Sequence, residues 1–281
     1  MRFRKAVPFE SSLKGQVKLS TGVVSTPYLV TAGHSTFIAG TADLDGVKGL
    51  LKGEHAFPVE TRDGQALMGV WLRHHQEGSL GPHLGLQICF FVANEPFKPV
   101  KAHRYAVLKL LALHPKVGML AHGLWSDREE ALAYHNEHLG LGAVLGKGEL
   151  KRDLEGGRKT FHFADDESGD VILRGQVKEL ARSEGRANMS LIAHLGPVKT
   201  FKFRTKPWIT SKVINRRGDM LRDNRAARTY IASEKVVLQN FDPETDKLEF
   251  GDSRYRSLNF KPQFVQHFSD IKFVHLDPKA W

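Results

Sequence analysis

The stretch Leu84 to Ala93 (LGLQICFFVA) limits what this chain can become. It has the length of one strand and is almost continuously apolar, so both of its faces have to be covered. Just before it, Gln65 to Arg73 (QALMGVWLR) has the same apolar and aromatic character, and the turn-forming residues Gly78 to Pro82 separate the two. Both segments are predicted strands.

The rest of the chain is punctuated in the same way. Gly15 to Ile38 places Val17, Leu19, Val23, Val24, Tyr28 and Val30 in a period-two pattern, which predicts one or two strands. Asp43 is positioned to cap a short helix with the apolar face Val47, Leu50 and Leu51, and Gly53 stops it before Phe57, Pro58 and Val59. Tyr105 to Leu113 (YAVLKLLAL) fits helix or strand equally. Later, Lys159 to Phe163, Val171 to Leu180, Met189 to Leu195, Val198 to Phe203, Thr229 to Leu238 and Phe264 to Leu276 are bounded by turn signals such as Asp165 to Gly169 and Asp242 to Asp246. No linker or repeat divides the succession. Residues 1–281 therefore read as a single mainly β domain, an antiparallel β-barrel with a few short helices, closed or nearly closed to protect its edges.

Composition narrows the function classes. No apolar run is long enough to span a bilayer, and the charged start MRFRKAVPFESSLKG lacks the apolar stretch of a secretory signal, which predicts a cytoplasmic protein without a membrane partner. Cys89, the single cysteine, rules out an internal disulfide and a thiolate cluster; beside Ile88, Phe90 and Phe91 it reads as a buried apolar thiol. The net charge of +10 is spread, with its densest cluster in Lys199 to Arg228. That segment lacks the motifs of a nucleic-acid module and reads first as a solvated basic loop and second as a nucleic-acid site; a third option is that one or two of its arginines bind a substrate carboxylate in a bidentate way.

The span Met119 to Leu150 collects the polar chemistry. Ser126 followed by Glu129 is a capping-box pattern, predicting a helix that begins at Ser126 and ends at Gly140 and Gly142 before a strand from Ala143 to Leu150. On that helix His135, Glu137 and His138 are expected near one mouth. His34, His83 and His122 are further histidines with general-base chemistry near neutral pH. The His-x-x-His spacing of His135 and His138 also has ligand chemistry for zinc or iron, but it is unspecific, and the expectation is a site with no metal and no cofactor. Trp125 reads as a pocket wall or floor. Gly33-His34-Ser35 is not a nucleophile elbow, and Gly146-Lys147-Gly148 is not a phosphate loop.

The order of these features resembles the acetoacetate decarboxylase superfamily. Asp43 to Pro58 is similar to the family's early helix and proline turn, Gly81-Pro82-His83-Leu84-Gly85 to its Gly-x-Tyr-x-Glu entry, Asn136 to Val144 to its Gly-Arg-Glu-x-x-x-Tyr-Pro-Lys-Lys segment, and Phe260 to Leu276 to its closing strand. The resemblance implies the family's β-barrel and a keto-acid substrate class. It also exposes departures. The imine-forming lysine and its lysine neighbour fall at Ala143 and Val144, and the barrel glutamate falls at Gly85, leaving Glu137 as the surviving acid. Lys147 replaces the lysine only if the strand register slips.

The function expected from these residues is a lysine-independent enzyme that moves protons on a small enolisable carbonyl or keto-acid compound. Glu137, His138 and His135 are the expected catalytic residues, and His83, Trp125, Arg128 and His34 the expected substrate contacts. Lyase, isomerase, cyclase and hydrolase outcomes stay open. A non-catalytic barrel binding a small ligand is the alternative, a basic nucleic-acid-associated protein the further one, and association into a homo-oligomer is compatible with a barrel.

Overall fold

The computed structural model describes residues 15–54, 56–101, 103–114, 116–183, 185, 211–214, 225–275 and 279–280, with backbone alone at 111–113, 211–214, 225–235 and 279–280. The segments Met189 to Leu195 and Val198 to Phe203 and the side chains of the basic cluster lie outside this set.

A hairpin of β1 (Gly15–Leu19) and β2 (Gly22–Thr26) leads into the long strand β3 (Tyr28–Asp43). Asp43 then caps α1 (Leu44–Leu50), its Oδ1 accepting from Gly46 N at 2.7 Å, as its position before Val47 and Leu50 predicts. After β4 (Phe57–Pro58) come β5 (Gln65–Gly78) and β6 (His83–Ala93). The segment with ambiguous periodicity is helical, α2 (Ala106–Leu113), and it precedes β7 (Val117–Ser126). A short α3 (Glu129–Ala133) runs into a π-helical turn, Tyr134–His138. The second half contains β8 (Val144–Asp153), β9 (Arg158–Asp165), β10 (Val171–Lys178), β11 (Ser211–Ile214), β12 (Arg225–Asn240), β13 (Lys247–Phe250), α4 (Ser253–Arg256), β14 (Lys261–His275) and β15 (Lys279–Ala280).

Strand pairing closes a ring in the order β3, β5, β6, β7, β11, β12, β14 and back to β3, antiparallel except between β7 and β11. A second run, β8, β9, β10 and β13, leaves the ring through a two-residue parallel pairing of β8 with β7 and forms an arm. Closure satisfies the backbone groups that an open edge would leave unpaired.

Alternation along the ring strands sorts the side chains into two clusters. Phe37, Trp71, Cys89, Phe91, Met119, Phe264, Phe268 and Phe273 meet inside, where Trp71 stacks between Phe37 (4.5 Å between centroids) and Phe268 (5.5 Å). Ile38, Val70, Leu72, Leu86, Ile88 and Phe90 face outward and are covered by α1 and by Phe161, Phe163, Ile172 and Leu173 of the arm. This is why Leu84 to Ala93 is apolar on both faces: the arm and α1 cover the outside and the barrel core the inside.

Candidate functional site

The interior cluster becomes polar toward one end of the barrel. On β5 the inward register continues from Trp71 to Arg73 and His75, and on β6 it runs through His83, Gly85 and Gln87. Tyr28, the first residue of β3, is central there, with ring centroids 6.0 Å from His75, 6.0 Å from His83, 5.9 Å from His135, 5.8 Å from Tyr134 and 5.1 Å from Phe273. His75 and His83 are 4.5 Å apart.

Hydrogen bonds fix part of this cage. His83 Nδ1–H donates to Gly81 O at 2.8 Å, so its Nε2 accepts from the Tyr28 hydroxyl at 2.9 Å. Tyr28 N donates to the Tyr134 hydroxyl at 3.0 Å. Arg73 Nη2 donates to Gln87 Oε1 at 2.6 Å and its guanidinium lies over the Trp71 ring, 5.2 Å from the centroid. Buried atoms at this end without a hydrogen-bond partner among the described residues include Gln87 Nε2, His75 Nδ1 and His135 Nδ1. Among the described residues no carboxylate pairs with Arg73. Directly across from Arg73 on β6 is Gly85, where an added Cβ would find its nearest neighbour 3.8 Å away, at Trp125 O.

Burial sets the protonation states. It lowers the Arg73 guanidinium to about 10 and holds His75 and His135 well below the ordinary imidazole range, with neighbouring His83 and His275, respectively, adding to the effect. His83 is also lowered by burial, and the Tyr28 hydroxyl is raised. At neutral pH the cage therefore holds one cation, neutral imidazoles and a protonated phenol. Cys89 is buried here too, and its thiol is pushed up to about 12 by burial, in keeping with the reading of an apolar thiol.

The structure separates the residues that the sequence grouped. The capping box is not formed: Ser126 is the last residue of β7, paired with Gly85, and α3 starts after Arg128 with no side-chain cap. Tertiary pairing of β7 with β6 extends the strand through the residue expected to begin the helix. The π turn, marked by Leu139 N donating to Tyr134 O at 3.1 Å, then changes the angular spacing expected of an α-helix. His135 is buried in the cage, whereas Glu137 is exposed and accepts from Ser20 N at 2.9 Å and from the Ser20 hydroxyl. His138 is half-buried, with Nε2 3.4 Å from Thr26 Oγ1. Gly140 and Gly142, with φ of 67° and 63°, make the expected turn in the left-handed region that only glycine enters easily.

The other expected contacts divide as well. His83 is in the cage. Arg128 lies over Gly81 at its rim and pairs with Glu130 at 2.9 Å. Trp125 faces outward and packs against Tyr255, 6.1 Å between centroids; with Asp165, Asp170, Asp252, Arg254 and Arg256 it lines a groove of about 490 Å³ beside the arm. His122, at a bulge in β7, also points outward, its Nδ1 2.9 Å from the Tyr255 hydroxyl. His34 stands on the outer wall, 4.9 Å from His74.

His34 belongs there to a second polar cluster, between barrel and arm. Lys159 is fully buried; its Nζ donates to Thr36 Oγ1 at 2.7 Å and is 3.7 Å from Glu179, which Arg152 holds in a bidentate pair at 3.0 and 2.6 Å. Thr36 Oγ1–H donates to His267 Nδ1 at 3.1 Å, because His267 Nε2–H is committed to Lys178 O at 2.8 Å. Burial brings Lys159 down to about 8 and, with the Lys159 charge, His34 and His267 to about 3 each.

Sequence reading missed Tyr28, Arg73, His75 and Gln87 as site residues. The available signal was Arg73 in register with Trp71 on an otherwise apolar face. Among the described residues no group of three His, Cys, Asp or Glu side chains could hold a metal ion, and no helix is long and apolar enough to cross a membrane.

No family model matches the sequence, and no curated protein matches it significantly. Solved structures do match. Acetoacetate decarboxylase from Legionella pneumophila superimposes with a TM-score of 0.57 at 14% identity, over 100% of this chain and 97% of the other. The enduracididine biosynthesis enzyme MppR, complexed with pyruvate, gives 0.57 at 10% identity, over 95% of this chain and 98% of that one. An acetoacetate decarboxylase-like enzyme from Sphingomonas wittichii RW1 gives 0.52 at 12%, over 90% and 92%. At these identities the likeness is one of fold, and the fold is of the acetoacetate decarboxylase type, as the order of sequence features implies.

Proposed function

We propose that this chain, a barrel of the acetoacetate decarboxylase type, is an enzyme that binds a small 2-oxo or 3-oxo acid at Arg73 and moves a proton on the carbon next to its carbonyl, without a Schiff-base lysine. The observation that carries this reading is the Arg73 guanidinium, inside the barrel, without a carboxylate partner among the described residues and beside the neutral His75 and His83. A lone buried cation is costly unless an anion completes it, and a planar carboxylate matches its fork.

In this mechanism the substrate carboxylate pairs with Arg73 in the space across from Gly85. Gln87, its Oε1 already held by Arg73, offers the unpartnered Nε2–H to the carbonyl oxygen, where negative charge develops as an enolate forms. His75, neutral and with Nδ1 unpartnered, accepts the proton from carbon. His135, from the π turn on the other side of Tyr28, is the second proton carrier. Glu137 is not assigned a role in this chemistry, since its carboxylate faces Ser20.

The lysines support the lysine-independent reading. Ala143 is buried in the interior cluster and Val144 is exposed. Lys147 points outward, 74% exposed, to Asp166 at 3.1 Å, and Lys159 is held on the outer side of the wall. The pyruvate in the MppR complex supports the substrate class.

The test is exchange of substrate α-protons with deuterated solvent, followed by NMR across a panel of 2-oxo and 3-oxo acids. Wild-type protein is expected to accelerate exchange of at least one acid. Arg73→Ala is expected to raise KM by at least about 10-fold and His75→Gln to lower kcat at little-changed KM. Binding of an acid by wild-type protein with no exchange would leave a ligand-binding barrel in place of the enzyme, and unchanged kinetics in Arg73→Ala would overturn the site.

A further inference from the structure

A second groove lies on the opposite chemistry from the cage: open, basic and half apolar. Its volume is about 400 Å³, and its lining includes Arg62, Lys98, Lys101, Lys109, His103 and His114 but no carboxylate. The floor is apolar. Ala106 and Leu110 of α2 are buried beneath it, and Phe97 meets His114 edge-on, 5.5 Å between centroids. The wall is also held in place. Val100 N donates to Glu60 O and Arg62 N to Val100 O, each at 2.8 Å, which ties Lys98 and Lys101 to the strand segment that bears Arg62.

Charge is the decisive feature. Four cations converge on one groove, and none forms an ion pair among the described residues. Glu95, the acid that precedes Lys98 on the same segment, is engaged by Lys116. On the arm, by contrast, the basic side chains Lys147, Lys151, Arg152, Arg174 and Lys178 each have a carboxylate partner. Like charges gathered around a partly enclosed apolar floor repel one another until an anion neutralises them, and the volume matches a small-molecule site rather than a track for a polymer.

We propose that this groove binds an organic diphosphate, its phosphates held by Arg62, Lys98, Lys101 and Lys109 and its apolar portion resting on Phe97 and Leu110. The site is independent of the cage chemistry.

The experiment is calorimetric titration of the full chain with ADP and with pyrophosphate, at low and at physiological salt. ADP is expected to bind, more weakly as salt rises, and more tightly than pyrophosphate because of its contact with the apolar floor. The double variant Lys98→Glu/Lys101→Glu, with both changes at exposed positions, is expected to lower ADP affinity by at least about 10-fold. The single change Lys18→Glu, on the exposed face of β1, is the control for overall charge and is expected to change it little. Phe97→Ala is expected to bring ADP affinity down to that of pyrophosphate. Absence of ADP binding would overturn the proposal, as would equal binding of ADP and pyrophosphate by the wild type. A loss in Lys18→Glu matching the double variant, or a single-stranded oligonucleotide that outcompetes ADP, would also overturn it by pointing to general surface charge.

Discussion

Replacing Lys159 with methionine tests the physics of the cluster between barrel and arm. Lys159 shares the inward register of β9 with Phe161 and Phe163, so a linear apolar side chain of similar length fits its place. Its ammonium is brought from 10.5 down to about 8, which at about 1.4 kcal/mol per unit is roughly 3 kcal/mol against the charged form in the folded state. Between those two values the unfolded chain binds more protons than the folded one, so wild-type stability should rise with pH through that window, by up to roughly 3 kcal/mol from this group. Lys159→Met removes the group and should flatten the rise. At pH 7 the variant should be at least as stable as wild type, because Glu179 keeps its bidentate pair with Arg152. Urea unfolding monitored by circular dichroism from pH 7 upward measures both effects. A variant that keeps the wild-type slope above pH 8, or that loses more than about 2 kcal/mol at pH 7, would refute the claim that the buried ammonium is held at a net cost.

The same substitution should act at the acid end. His34 and His267 are held at about 3 against an ordinary 6.5, so the stability they confer is complete above 6.5 and is lost as pH falls toward 3; with the Lys159 charge gone, both imidazoles should titrate higher and the acid loss should be shallower in urea midpoints. Gly85→Glu should place a carboxylate across from Arg73 in space that accepts a Cβ, abolishing binding of oxo acids by calorimetry while circular dichroism stays that of the wild type. Glu137→Gln should leave α-proton exchange unchanged and increase protease cleavage within residues 15–26, since its carboxylate holds the β1–β2 hairpin at Ser20.

Much of the architecture could be read from local pattern because local and tertiary demands agree there. Asp43 caps the helix it precedes, and the doubly apolar Leu84 to Ala93 is a ring strand covered on both sides. The site was less legible because tertiary pairing overrode local signals. The strand beginning at Gln65 was expected to end at Arg73, before the polar run His74-His75-Gln76-Glu77, but pairing with β3 carries it to Gly78 and brings His75 inside. Ser126 has the local chemistry of a helix cap and is held in a strand by Gly85. His135 and Glu137, two positions apart, fall on opposite sides of a helical turn of either kind, so one is buried in the cage and the other exposed. Lys159 is the converse case, since strand alternation points it inward while its charge argues for solvent, and a network of partners on Thr36 and Glu179 decides.

The guanidinium of Arg73 over Trp71 gives the barrel a built-in optical gauge. Indole emission responds to a nearby charge, and this indole is buried, stacked between two phenylalanines and faced by a single cation 5.2 Å from its ring. An anion that neutralises that cation alters the field at Trp71, so occupancy of the cage is readable in the protein's own fluorescence without a label.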